Sequence, residues 1–227
     1  MVTHADLIAA VQSGNVEVVR RLLEQSPPLA SAKDASGVSA LMYAFYYRQP
    51  EVADLLLGSK SELDIFEATA AGKTDRVAEI LQLDRDAANY YSCDGFTPLH
   101  FAAFFDRPDI ARDLIGHGAK VAAVAKNTMK VTPLHSAAAA HSREIVRLLL
   151  EQGAPVDARQ QGGWTALHEA AQAGDPEMVG DLLRHRADPA ARNDEGKSPE
   201  DLAQAKGREE VSKLLAIALG KAWKRGI

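Results

Sequence analysis

A short pattern returns along this chain at nearly constant intervals. Thr97-Pro98-Leu99-His100 recurs as Thr132-Pro133-Leu134-His135 and Thr165-Ala166-Leu167-His168, with degraded copies at Ser39-Ala40-Leu41 and Ser198-Pro199-Glu200. From Thr97 the steps to Thr132, Thr165 and Ser198 are 35, 33 and 33 residues. A fixed period of this size marks units too small to bury their own apolar face, which must stack on one another. A second mark runs in register. The aliphatic pairs Leu22-Leu23, Leu55-Leu56, Ile80-Leu81, Leu114-Ile115, Leu148-Leu149, Leu182-Leu183 and Leu214-Leu215 are separated by 33, 25, 34, 34, 34 and 32 residues. Seven units follow, and one step is short by about nine residues.

Each unit reads as turn, helix, turn, helix. Ile145, Leu148 and Leu149 form one apolar stripe on a helical period, with Arg143, Glu144 and Arg147 between them. Proline suits a first helical turn, where its missing N–H has no partner; Pro133 opens one helix, and Pro50, Pro108 and Pro176 open others. Thr132 is placed to cap. Gly118 and Gly153 suit a left-handed helix end. Asp34-Ala35-Ser36-Gly37, Cys93-Asp94-Gly95, Gln161-Gly162-Gly163 and Asp194-Glu195-Gly196 are turn clusters between units.

These motifs resemble the ankyrin repeat family over nearly the whole chain, with no closer match. The resemblance implies an all-α solenoid of about seven helix-turn-helix repeats, with β-hairpin fingers on one side and a concave binding face. We expect a single domain, 1–227, in units of about 1–33, 34–62, 63–91, 92–126, 127–159, 160–192 and 193–227. The first and last units have the character of caps. Leu41 to Ile65 is only 24 residues, so a finger is missing between units two and three, and the weakest interface is expected at residues 58–64. Leu214 to Trp223 should prolong the last helix.

Composition narrows the function classes. The net charge is -5 with mixed signs, and the one basic cluster is Lys221, Lys224 and Arg225, so nucleic acid is not an expected partner. Cys93 is the only cysteine, which excludes an internal disulfide and a cysteine-built metal site. With no secretory leader and no long apolar run, a cytoplasmic monomer with no membrane partner is expected.

No catalytic, cofactor or metal residue is assigned, and the protein is read as no enzyme. His100, His135 and His168 recur one repeat apart, too far to share an ion, and the resemblance gives them a structural role. Cys93 has no base placed to activate it. Lys33, Lys126, Arg159 and Arg192 form a basic column, read as ordinary repeat positions paired with Asp34, Asp157 or Asp194. Tyr46-Tyr47 and Phe104-Phe105 stand out, because other units carry small or polar residues there. They read either as a binding surface or as filling for the gap left by the missing finger. With Phe96, Met129 and Trp164, placed at finger tips, they are the candidate partner-binding residues. The expected function is binding of another protein through the concave face and fingers. The alternatives are a regulatory or inhibitory subunit of an enzyme, or a small-molecule site in the aromatic groove near the missing finger.

Overall fold

A computed structural model describes residues 2–224, with side chains to residue 220. The basic cluster Lys221, Lys224 and Arg225 therefore lies outside the described side chains. The described residues form helix–turn–helix pairs and three short 3-10 turns. The pairs are α1 (His4–Gln12) with α2 (Val16–Gln25), α3 (Ala40–Tyr46) with α4 (Pro50–Ser59), and α5 (Ile65–Ala70) with α6 (Thr74–Leu83). They continue as α7 (Pro98–Phe104) with α8 (Pro108–Gly116), α9 (Pro133–Ala139) with α10 (Arg143–Glu151), α11 (Ala166–Ala173) with α12 (Pro176–Arg184), and α13 (Pro199–Ala205) with α14 (Glu209–Lys224). The prolines open their helices as expected, and Gly118 and Gly153 take positive φ of 87° and 78° just past theirs. The last helix is the longest, at 16 residues. Among the described residues the only β contact is an isolated antiparallel bridge, Lys33 with Ser39. Other fingers close on single backbone bonds, such as Ala125 N–H to Val131 O at 2.8 Å and Gln160 N–H to Trp164 O at 2.9 Å.

The chain divides into two compact units. Unit 1 is Met1–Ala87 with Tyr91–Gly95. Its first helices, α1, α3 and α5, pack side by side over a core that includes Leu7, Leu41, Leu56 and Leu81, all fully buried. Removing each such side chain from water stabilises by about 1.5–3 kcal/mol. The missing finger lies inside this unit. α4 ends at Ser59, α5 starts at Ile65, and residues 60–64 pass straight between them.

Three features hold unit 1 together across that short connection. The Asp64 carboxylate accepts the Phe66 and Glu67 N–H groups at 3.0 Å each, and the Glu67 carboxylate accepts the Asp64 N–H at 3.2 Å, a reciprocal helix cap. Lys60 donates to Glu67 at 2.5 Å, with side chains only 6% and 2% exposed. The turns of residues 34–37 and 92–95 lie directly against each other. A Cβ on Gly37 (φ +92°) would stand 3.2 Å from the Cys93 Cβ, so glycine permits both the turn and the contact. The division of the chain accordingly falls at residues 88–96, and residues 58–64 lie within a compact unit.

Unit 2 is Ala88–Tyr90 with Phe96–Ile227. Here α7, α9, α11 and α13 form one layer, and α8, α10, α12 and α14 a second. The second layer is tied by ion pairs, Arg112 to Glu144, Arg143 to Glu177, and Arg147 and Arg184 to the buried Asp181. Fingers are tied by backbone, with Gln161 N–H to Met129 O at 2.8 Å and Asp194 N–H to Gly162 O at 2.9 Å.

Candidate functional site

Three of the histidines of unit 2, His100, His135 and His168, are its internal fasteners. The His100 Nδ1 lies 3.2 Å from the Thr97 N–H and 2.8 Å from the Thr97 hydroxyl, and its Nε2 lies 3.0 Å from the Val131 carbonyl of the next repeat. His135 repeats this with Thr132 and the Trp164 carbonyl, and His168 with Thr165 and the Lys197 carbonyl. The Thr N–H needs an acceptor and the carbonyl needs a donor, so the geometry assigns one neutral tautomer with its proton on Nε2. Burial pushes the His100 pKa down to about 4 and lowers those of His135 and His168. Each imidazole is spent on its own threonine and the following finger. Among the described residues no cluster of three or more His, Cys, Asp or Glu side chains is arranged to hold a metal ion.

The candidate aromatic residues divide by environment. Tyr47 is 52% exposed and stacks on Tyr43 with ring centroids 5.9 Å apart. Tyr46 is half-buried, and its hydroxyl donates to Asp94, which also accepts from the Ser92 hydroxyl at 2.5 Å. Burial first, and Asp94 second, push its pKa far up. In unit 2 Phe104 is 45% exposed and meets Phe105 edge-on at 5.2 Å. Half-buried Phe105 stacks on Phe101 at 6.3 Å, and Phe96 meets Phe101 edge-on at 5.8 Å. Met129 is 43% exposed. Trp164 is half-buried at the base of its finger and not at the tip, because its carbonyl must reach His135; the tip is Gly162-Gly163. Tyr46 and Phe105 thus have packing and bonding work inside their units, while Tyr47, Phe104 and Met129 present large apolar surface to solvent.

The sequence reading missed a second tyrosine–aspartate pair. Tyr43 donates to Asp34 at 2.6 Å, and Asp34 also accepts from Ser36 and the Val38 N–H. The Tyr43 bond, with help from Ser36, holds the Asp34 carboxyl down to about 2 and drives the Tyr43 hydroxyl up to about 12. It also missed Glu169, a half-buried carboxylate on the exposed side of α11. The signal available was its position, four residues after Thr165, where Tyr43, Phe101 and Ser136 stand in other repeats.

The basic column is engaged, with partners other than those expected. Lys33 lies 3.7 Å from Asp64, and Arg192 reaches the Gly196 carbonyl at 2.6 Å and Asp201 at 3.5 Å. Arg159 donates to the Arg192 carbonyl of the next finger at 2.7 Å. Cys93 is exposed, and desolvation with the neighbouring Asp94 raises its thiol pKa, opposite to what a nucleophile requires. Where the finger is missing, an open groove of about 810 Å³ is lined by residues including Lys60, Glu62, Lys73, Asp75, Arg76 and Glu79. None of the candidate aromatic residues lines it. Among the described residues no helix is long and apolar enough to cross a membrane.

Stacked helix pairs with histidine fasteners define a helical repeat protein. Residues 6–67 and 121–193 match the family model of ankyrin repeats in three copies, and residues 94–126 match that of the single ankyrin repeat. The chain belongs to the ankyrin repeat family, whose members are typically non-enzymatic and generally serve as protein–protein interaction modules. It is similar to the tyrosine-protein kinase Shark of Drosophila melanogaster, 33% identical over 66% of this chain and 16% of the relative. It is also similar to the regulatory protein NPR3 of Arabidopsis thaliana, 32% identical over 51% of this chain and 15% of that protein. The 2-5A-dependent ribonuclease of Homo sapiens is 46% identical over 26% of this chain and 8% of its own length. The chain thus spans less than a fifth of the length of these relatives.

Proposed function

We propose that this protein is a non-enzymatic binding module that recognises another protein through its first-helix face and fingers. The observation that carries the reading is the solvent exposure of Phe104 at a position where the following repeats carry Ala139 and Gln172. Tyr47 and Met129 add to it. Large exposed aromatic residues mark interaction surfaces and concentrate their energy. The mechanism is recognition by a preformed surface. Rigid repeats present fixed side chains, and little ordering free energy is lost on binding.

The test is a pull-down from the native source with Phe104→Ala and Tyr47→Ala as controls. We expect both variants to melt with the unaltered protein and to lose the partner. Destabilised variants whose folded fraction still binds would refute the reading and make these residues internal packing.

A further inference from the structure

The first-helix layer of unit 2 changes character from one repeat to the next. α7 presents Phe104 and, half-buried, Phe105. α9 presents only small groups, with Ala139 exposed, Ala140 half-buried and Ser136 nearly covered. α11 presents Gln172, Ala173 and Glu169, all half-buried. Moving along this face, an aromatic wall gives way to a shallow alanine floor and then to a carboxylate.

Glu169 is held by a single side-chain bond. Its Oε1 accepts from the Gln160 amide at 2.8 Å, while its Oε2 has no hydrogen-bond donor among the described residues. The nearest cationic influence is His141, which acts through space and makes no bond to it. Burial raises the Glu169 pKa, so this carboxylate is partly desolvated without the counter-charge that would compensate. On the second-helix layer, by contrast, Asp181 takes two arginines and Glu144 and Glu177 one each.

We propose that Glu169 receives a lysine or arginine side chain of a partner segment that runs across Ala139 and Ala140 and rests a large apolar residue, about six positions away, on Phe104. The occupant is an extended peptide segment carrying a basic residue and, about six residues along, a large apolar one. Helices pack about 8–10 Å apart, so Phe104 and Glu169, two repeats apart, are separated by roughly 16–20 Å. Six extended residues cover that span. Charge complementarity selects the occupant. An acidic segment would meet a like-charged carboxylate, and a wholly apolar one would bury it without an ion-pair partner.

This inference rests on the proposed function, and its test separates the two. Random twelve-residue peptides displayed on phage are selected on the full chain, and the strongest is synthesised and titrated. Enrichment of peptides pairing Lys or Arg with an aromatic or long aliphatic residue is expected. Glu169→Gln should weaken the chosen peptide at least tenfold, and replacing its basic residue by Gln should weaken it similarly against the unaltered protein. Applied together, the two changes should cost little more than either alone. The peptide-side change needs no protein variant, so the result stands even if Glu169→Gln folds poorly. Peptides that lose affinity on Phe104→Ala but not on the loss of their basic residue would overturn the role of Glu169 and leave the binding face standing. Peptides indifferent to Phe104→Ala would overturn the proposed face, and the assignment with it.

Discussion

The two units solve the same stacking problem with different chemistry. In unit 2 each repeat is fastened to the next by a buried neutral histidine that spans from its own threonine to the following finger carbonyl. Unit 1 has no histidine in that role. Its helix starts use Thr3 with Asp6, Ser39, and Asp64 with Glu67. Met42 stands at the third helical position of α3, where α7, α9 and α11 carry histidine. The reason is geometric. The repeat after α3 has no finger to offer the carbonyl that the three histidines use, and the Leu63 carbonyl ahead of α5 already accepts from Arg76 at 3.1 Å, so a buried imidazole at position 42 would compete for its acceptor. α5 starts one residue late relative to its apolar core position, which puts Glu67 at its third position, and Lys60 then neutralises it. A neutral network therefore fastens the first helices of unit 2 to the fingers that follow them, and charge holds the short connection of unit 1.

The strongest test of that contrast removes one charge. Lys60→Ala leaves Glu67 buried and unpaired, which should cost about 3–5 kcal/mol. Hydrogen exchange at neutral pH should show the loss in residues 1–87 and not around α9 to α12. A loss spread evenly over both units, or one below about 1 kcal/mol, would break the contrast.

Acid should act on the units in separate windows. A histidine whose folded pKa is depressed contributes stability present above its ordinary value of 6.5, and this is lost as pH falls toward the folded value of about 4. For the buried His100 that amounts to about 3 kcal/mol, with smaller losses of the same sign from His135 and His168. The Asp34 carboxylate, depressed from 3.8 to about 2, contributes in unit 1 above 3.8 and fades only as pH falls toward 2. Both tryptophans belong to unit 2, so denaturant titrations followed by tryptophan fluorescence should weaken between pH 6.5 and 4. Unit 1 amides should hold until lower pH. Equal sensitivity of the two units over that range would contradict the histidine account.

Two substitutions sharpen the comparison further. Met42→His offers an imidazole to a repeat with no following finger, and should destabilise by about 1–3 kcal/mol. If it stabilises, the missing finger is not the reason for Met42. His135→Gln keeps an amide near Thr132 but loses the span to Trp164, and should cost on the order of 1 kcal/mol in a thermal melt. A neutral effect would demote the histidines from fasteners to fillers.

Much of this was legible in the sequence because it is local and repeated. The 33-residue rhythm, proline helix starts, glycine helix ends and the Thr-x-x-His unit are each set by backbone chemistry within one repeat, so they identified the family and located the missing finger. The exposure of Phe104 against the half-burial of Phe105 could not be read, because adjacent positions differ only in which neighbour covers them. Nor could Tyr46 be separated from Tyr47. The first is tied to Asp94, 48 residues away, a partner that no local spacing announces.

What the sequence determined by itself is the repeat family and its helix–turn–helix unit, since 3.6-residue periodicity and turn chemistry act over a few residues. What only the tertiary structure decided is how the chain copes with its irregularity. Deleting a finger brings the turn of residues 34–37 onto that of residues 92–95 and buries Lys60 against Glu67. Those outcomes depend on distances between residues far apart in the chain. Burial and pairing energies are fixed by such distances, and a sequence records them only after it has folded.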